Sequence, residues 1–149
     1  MNVKHYLNQY RELMMRAEHY RERIIRAENV LKALEMDGQP KGTKTGDPTR
    51  NAALNTPILK EAYALIVMDA ERICADITAN IEKLPDAKLR LLLYERYILF
   101  KPWTQVAKTL DAYRPGKEYE LKSVMGYMHR KALKELQEVL NELHHNVRW

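Results

Sequence analysis

The sequence predicts an all-α protein: a long antiparallel helical hairpin or coiled-coil arm followed by a C-terminal helix-turn-helix domain. Three observations carry this expectation. Apolar residues recur every three or four positions over long stretches, the spacing of a helix face. The five glycines and six prolines cluster at a few places, leaving long uninterrupted runs. Finally, "LLLYERYILFKPWTQVAKTL" (Leu91–Leu110) reads as a helix, an abrupt Lys101-Pro102 break, and a second short helix.

The first element has the clearest period. Val3, Tyr6, Tyr10, Leu13, Ala17, Tyr20, Ile24, Ala27, Leu31 and Leu34 alternate three and four residues apart, with Arg11, Glu12, Arg16, Glu18, Arg21, Glu22 and Arg26 between them. Held this long, the pattern is a heptad seam with solvated flanks. Residues 37–56 are rich in Gly, Pro, Thr, Asp and Asn and read as a flexible loop. Thr56-Pro57 then offers an N-cap followed by proline at the first helical position. Leu59, Tyr63, Ile66, Ala70, Ile73 and Ile77 carry the second seam to Leu84, with Asn80 on it as a register-setting polar residue. Two such helices predict a hairpin; the same stripes also fit a homo-oligomer zipped through the arm. The arm is expected over residues 1–84 and the helix-turn-helix domain over 85–149.

Pro85 ends the second helix, because the residue before a proline disfavours helical angles. Asp86 suits the positive end of the next helix. Leu89, Leu92, Leu93 and Tyr97 form that helix's apolar face. After the corner, Val106, Ala107 and Leu110 turn inward, and Thr104 is a candidate cap. Residues 111–120 read as a loop with Pro115-Gly116 at its tip. A last helix runs from about Leu121 past Leu140, with Leu121, Met125, Met128, Ala132, Leu136 and Leu140 as its core stripe and Leu133 beside it.

Composition limits the function classes. One cysteine permits no internal disulfide. The opening "MNVKHYLNQY" lacks the apolar core of a signal peptide, and "AYALIVM" is too short to span a bilayer. A cytoplasmic protein without a membrane partner is the expectation. The net charge is +5. It is concentrated between Lys101 and Lys134, where eight bases face three acids, a distribution suited to nucleic acid or to an ordinary solvated face. His5, His19, His129, His144, His145 and Cys74 show no metal-ligand spacing. No nucleophile triad, phosphate loop or paired-acid motif appears. A non-enzyme without metal or cofactor is expected.

"LPDAKLRLLLYERYILFKPWTQVAKTL" followed by "VMGYMHRKALKEL" resembles the helix-turn-helix of sigma factor region four. More narrowly, the chain resembles phage regulators of the RinA/ArpU type, which activate late or packaging genes. The match runs from about Leu84 to Leu140; the first half shares only helical character. The linker at 111–120 is longer than the tight turn usual in sigma factors. The resemblance implies a third helix in the major groove of promoter DNA, with host RNA polymerase as a second partner in the bacterial cytoplasm. By the same resemblance, Lys122, Ser123, Gly126 and Tyr127 fall where sigma-like readers touch bases. Lys101, Thr104, Lys108, Arg130, Lys131 and Lys134 are then the phosphate contacts, which position without specifying. Trp103 reads as the anchor of the second helix. Two other readings are compatible with the same residues. One is a small terminase subunit for DNA packaging; the other is a coiled-coil adaptor that leaves DNA alone.

Overall fold

The computed structural model describes residues 2–37, 48–113 and 120–147. These residues form helices and no strand, so the fold is all-α. The elements are α1 (Val3–Asp37), α2 (Pro48–Ile81), α3 (Ala87–Leu93), α4 (Trp103–Tyr113), α5 (Leu121–Ser123) and α6 (His129–Val147). A π-helical turn, Tyr94–Ile98, continues α3, and a second, Val124–Met128, joins α5 to α6. The chain divides into two compact units, residues 1–11 with 71–149, and residues 12–70. Residues 71–84 and the first eleven, read from sequence as arm, therefore belong with residues 85–149.

The unit of residues 12–70 is a pair of helical segments. Ala17 and Ile24 on α1 and Ala52, Leu59, Ile66 and Ala70 on α2 are buried, as the seam spacing requires. An ion pair of 2.9 Å joins Glu28 to Lys60 on the exposed flank. The start of α2 departs from expectation. The helix begins at Pro48, which takes the first-position role assigned to Pro57, and Pro57 lies inside it. Thr56 is thus an interior residue whose buried hydroxyl donates to the Ala52 carbonyl. The carbonyl that Pro57, lacking an N–H, leaves without its helical donor is that of Ala53, one residue beyond the Thr56 contact, and the helix runs through the proline on the turns that flank it. Of the residues 37–56 expected as a loop, Asp37 and 48–56 are helical, and residues 38–47 lie outside the described residues.

The larger unit holds the main core. Leu7, Ile77, Ile81 and Leu84 from the ends of α1 and α2 pack with Leu92 and Leu93 of α3, Val106 and Leu110 of α4, and Leu136 of α6; all are essentially fully buried. Each such side chain contributes about 2 kcal/mol of burial free energy. One polar network crosses this core. The Tyr6 hydroxyl donates to Asp76 at 2.6 Å and accepts from the buried Asn80 amide at 2.7 Å. Asn80 accepts in turn from Lys83. Burial, reinforced by the Asp76 carboxylate, holds the Tyr6 hydroxyl well above its ordinary pKa, so it stays a donor. The register role expected of Asn80 has here a physical form: slipping the helices would leave buried polar groups unpaired.

The Leu-Pro-Asp junction is closed by its own side chains. Asp86 is the N-cap of α3 and accepts from the Lys88 amide at 2.9 Å. Arg90 reaches back to the Leu84 carbonyl at 2.6 Å. The Lys101-Pro102 corner has three parts. The π turn widens the end of the helix, so that the Leu99 amide donates to the Tyr94 carbonyl five residues back. Phe100 then takes a left-handed conformation, φ 57°. The Lys101 amide returns to the Glu95 carbonyl, and Arg96 donates to the Lys101 carbonyl at 3.1 Å. The Pro102 carbonyl accepts from the Gln105 and Val106 amides and starts α4. Thr104 therefore lies within the first turn of α4 and is not its cap.

Candidate nucleic-acid interface

The segment Leu121–Val147 was expected to be one regular helix with Leu121 and Met125 in the core. Both are exposed, at 40% and 45%. Val124, Met128, Ala132, Leu136 and Leu140 are buried instead, with Leu133 beside them. The π turn is the reason. Its wider winding brings residues four apart onto one side, so the buried stripe steps by four from Val124 and turns Leu121 and Met125 outward.

This winding leaves a continuous outer face. Lys122, Ser123 and Tyr127 are exposed, Tyr127 at 64%, and Gly126 is half-buried between them. Arg130, Lys131 and Lys134 extend the face along α6 and are exposed. On α4, Thr104 and Lys108 are exposed as well. Among the described residues none of Lys108, Lys122, Arg130, Lys131 and Lys134 forms an ion pair. Val106 and Leu110 of α4 and Val124 of the π turn share one core, and this fixes α4 against the segment.

Lys101 is the exception in the phosphate set. Its ammonium is paired with the buried Glu95 carboxylate, and its side chain is half-buried. The acid sits in the π turn, facing the core side of the corner, and holds the lysine inward. Lys101 is therefore a structural partner of the corner, not an available phosphate contact.

Gly126 has no internal reason to be glycine. A Cβ built on it meets nothing within 4 Å, and its backbone does not lie in the left-handed region. An interior glycine lowers helix stability by about 1 kcal/mol relative to alanine. The fold bears this cost at the centre of the exposed face.

Trp103 behaves as the expected anchor. It packs against the core, edge-on to the His129 ring at 4.7 Å, and the Arg96 guanidinium lies over its face at 4.6 Å. The Tyr97 hydroxyl stands 2.7 Å from His129 Nε2. Burial, assisted by the positive charges of Lys4 and Arg96, lowers the His129 pKa to about 4. Burial raises that of Tyr97. The imidazole is then neutral near pH 7, and the direction of its hydrogen bond with the Tyr97 hydroxyl follows the ring tautomer. This cluster joins α1, the first π turn, α4 and α6, and no sequence pattern pointed to it.

Among the described residues no group of three His, Cys, Asp or Glu side chains is placed to hold a metal, and no helix is long and apolar enough to cross a membrane. No family model, curated protein or solved structure matches the chain.

Proposed function

We propose that the protein is a sequence-specific DNA-binding transcriptional regulator, without enzymatic activity, that inserts the Leu121–Val147 segment into the major groove of double-stranded promoter DNA. The observation that carries this reading is the exposed face of that segment. It combines a glycine the fold does not need, adaptable polar side chains and a row of cations with no acid partners among the described residues. Lys122, Ser123 and Tyr127 address base edges, and Gly126 admits the backbone of the groove. Met125 and Leu121, turned outward by the π turn, add apolar surface suited to thymine methyl groups. Arg130, Lys131 and Lys134 on α6, with Thr104 and Lys108 on α4, take phosphates. Helix α4 braces the segment through the shared core, as the first of two paired helices does in this class of reader.

Activation of phage late or packaging genes with host RNA polymerase, inside the bacterial cell, rests on the resemblance of residues 84–140 to RinA/ArpU-type regulators. Self-association through the arm has separate support. Leu54, Ile58, Leu65 and Met68 form an exposed apolar stripe along α2, with Met15 and Ile25 exposed on α1. A dimer placing two readers on two half-sites fits a regulator, whereas a large ring would favour the packaging-subunit alternative. The deciding experiment is binding to genomic fragments across a salt series, with the mass of the free protein measured in parallel. A salt-dependent complex on one fragment, well above that on random DNA, supports the proposal. Absence of any complex at low salt overturns it and leaves the adaptor reading.

A further inference from the structure

A cleft of about 230 Å³ opens beside Trp103 in the larger unit. At about 30 Å³ per water molecule it has room for about seven waters, the scale of a small polar ligand. Its chemistry is one-sided. Lys4 and Arg11 line it from α1, Arg96 lines it from the first π turn, and among the described residues no acid lines it. Lys4, Asn8 and Arg11 are spaced four and three apart, which places all three on one face of α1. His129, Tyr97 and Trp103 close the inner wall. Among the described residues neither Lys4 nor Arg11 forms an ion pair. Arg96 spends one nitrogen on the Lys101 carbonyl and keeps its other donors.

We propose that this cleft binds a phosphate group, held by Lys4, Arg11 and Arg96. Three convergent cations suit an anion of nearly two charges; a single carboxylate would be matched by one arginine. Two guanidinium forks offer paired N–H groups to phosphate oxygens, the lysine adds a point charge, and the Asn8 amide is a neutral donor on the same face. Burial is the main cause of the lowered His129 pKa, and the positive charges of Lys4 and Arg96 add to it. Trp103 and Phe100 also line the cleft, so a ring carried by the ligand would find aromatic side chains there. The group can come from a free mononucleotide or from a nucleic-acid backbone. The site does not depend on the DNA-reading role of Tyr127 or Gly126, because free ligands test it without DNA.

The experiment follows the His129 ring resonances of the full chain at constant ionic strength, in a buffer without phosphate, and measures binding by calorimetry. The probes are inorganic phosphate, adenosine monophosphate and a short DNA duplex. Saturable shifts at His129 with phosphate or the nucleotide are expected, with affinity falling about tenfold or more in Lys4→Gln and Arg11→Gln. Both positions are exposed or near the surface on α1, and thermal melts of the variants check that they fold. Arg16→Gln, on the exposed surface of α1 away from the cleft, should leave this binding unchanged. Response to the duplex alone, lost in Arg11→Gln, assigns the phosphate to the nucleic-acid backbone. No His129 response to any probe overturns the proposal, as does an equal loss in Arg16→Gln and Arg11→Gln.

Discussion

The two π turns of the larger unit, Tyr94–Ile98 and Val124–Met128, each wind one residue too many into a helix, yet they are occupied in opposite ways. In the first, every departure from regular helix is answered inside the chain. Glu95 pairs with Lys101, Arg96 bonds the Lys101 carbonyl and lies on Trp103, and Phe100 stacks on Tyr10 at 5.4 Å. In the second, Met125 and Tyr127 point into solvent and Gly126 packs against nothing. A helix distortion satisfied internally is architecture. One that exposes apolar surface and forgoes helix stability without internal return is where an outside partner is to be sought.

The largest effect should come from breaking the internal account of the first turn. Lys101→Ala removes the one ion-pair partner that a buried carboxylate, Glu95, has among the described residues. Losing one member of a buried pair typically costs 3–5 kcal/mol; with the Lys101 side chain 34% exposed, about 2 kcal/mol is expected. Denaturant unfolding would show it, and Lys101→Met combined with Glu95→Gln should recover most of it. If Lys101→Ala instead leaves stability intact and only flattens the salt dependence of DNA binding, the lysine belongs with the phosphate contacts after all.

The second turn should fail differently. Tyr127→Ala should leave stability within about 0.5 kcal/mol, since the side chain is largely exposed. It should cost roughly 1–3 kcal/mol on the specific DNA and little on random DNA. Arg130→Ala should weaken both DNAs alike and lower the salt slope by about one unit. Titrations on both DNAs across a salt series separate the two residues. Equal losses from Tyr127→Ala on both DNAs would remove its base-reading role.

Periodicity made the helices legible, since Tyr6, Ala17, Ile24, Leu59, Ile66 and Ile77 are buried where their spacing placed them. It misled wherever the helix is not regular. A 3.6-residue period put Met125 inward because nothing in "SVMGYM" announces a π turn. Pro57 read as a beginning because proline is far commoner at a helix start than inside one. The exposure of Lys122, Ser123, Tyr127 and Arg130 was legible because polar side chains on a strong helix stand out. Lys101 was misassigned because its partner, Glu95, lies across a corner whose geometry sequence does not carry. The phosphate cleft was invisible for a similar reason: its cations come from residues 4, 11 and 96.

Gly126→Ala gives a smaller effect of unusual sign. The space around the site accepts a Cβ and the backbone is compatible with alanine. Folding physics alone therefore predicts a gain of up to about 1 kcal/mol, read as a higher melting temperature. On the proposed function the same methyl group stands between the segment and the groove, so specific DNA affinity should fall. A variant both more stable and weaker on its site would separate the two π turns in one measurement. If affinity is unchanged, Gly126 is not at the interface.

The smallest net change is expected at Phe100, where two effects of similar size oppose. The left-handed backbone at φ 57° disfavours an aromatic residue by roughly 1–2 kcal/mol, and glycine would relieve that strain. Glycine would also abolish the stack on Tyr10, worth about 0.5–1.5 kcal/mol together with some apolar contact. Phe100→Gly should thus unfold within about 1 kcal/mol of the parent in either direction. Phe100→Val loses the ring and keeps the strain, worsened by branching at Cβ, so it should be clearly less stable than Phe100→Gly. The ordering of the two variants is the informative result. If valine matches glycine, the left-handed turn at the corner is not under strain, and the tight reversal before α4 is held by the Glu95–Lys101 pair and the Arg96 bond alone.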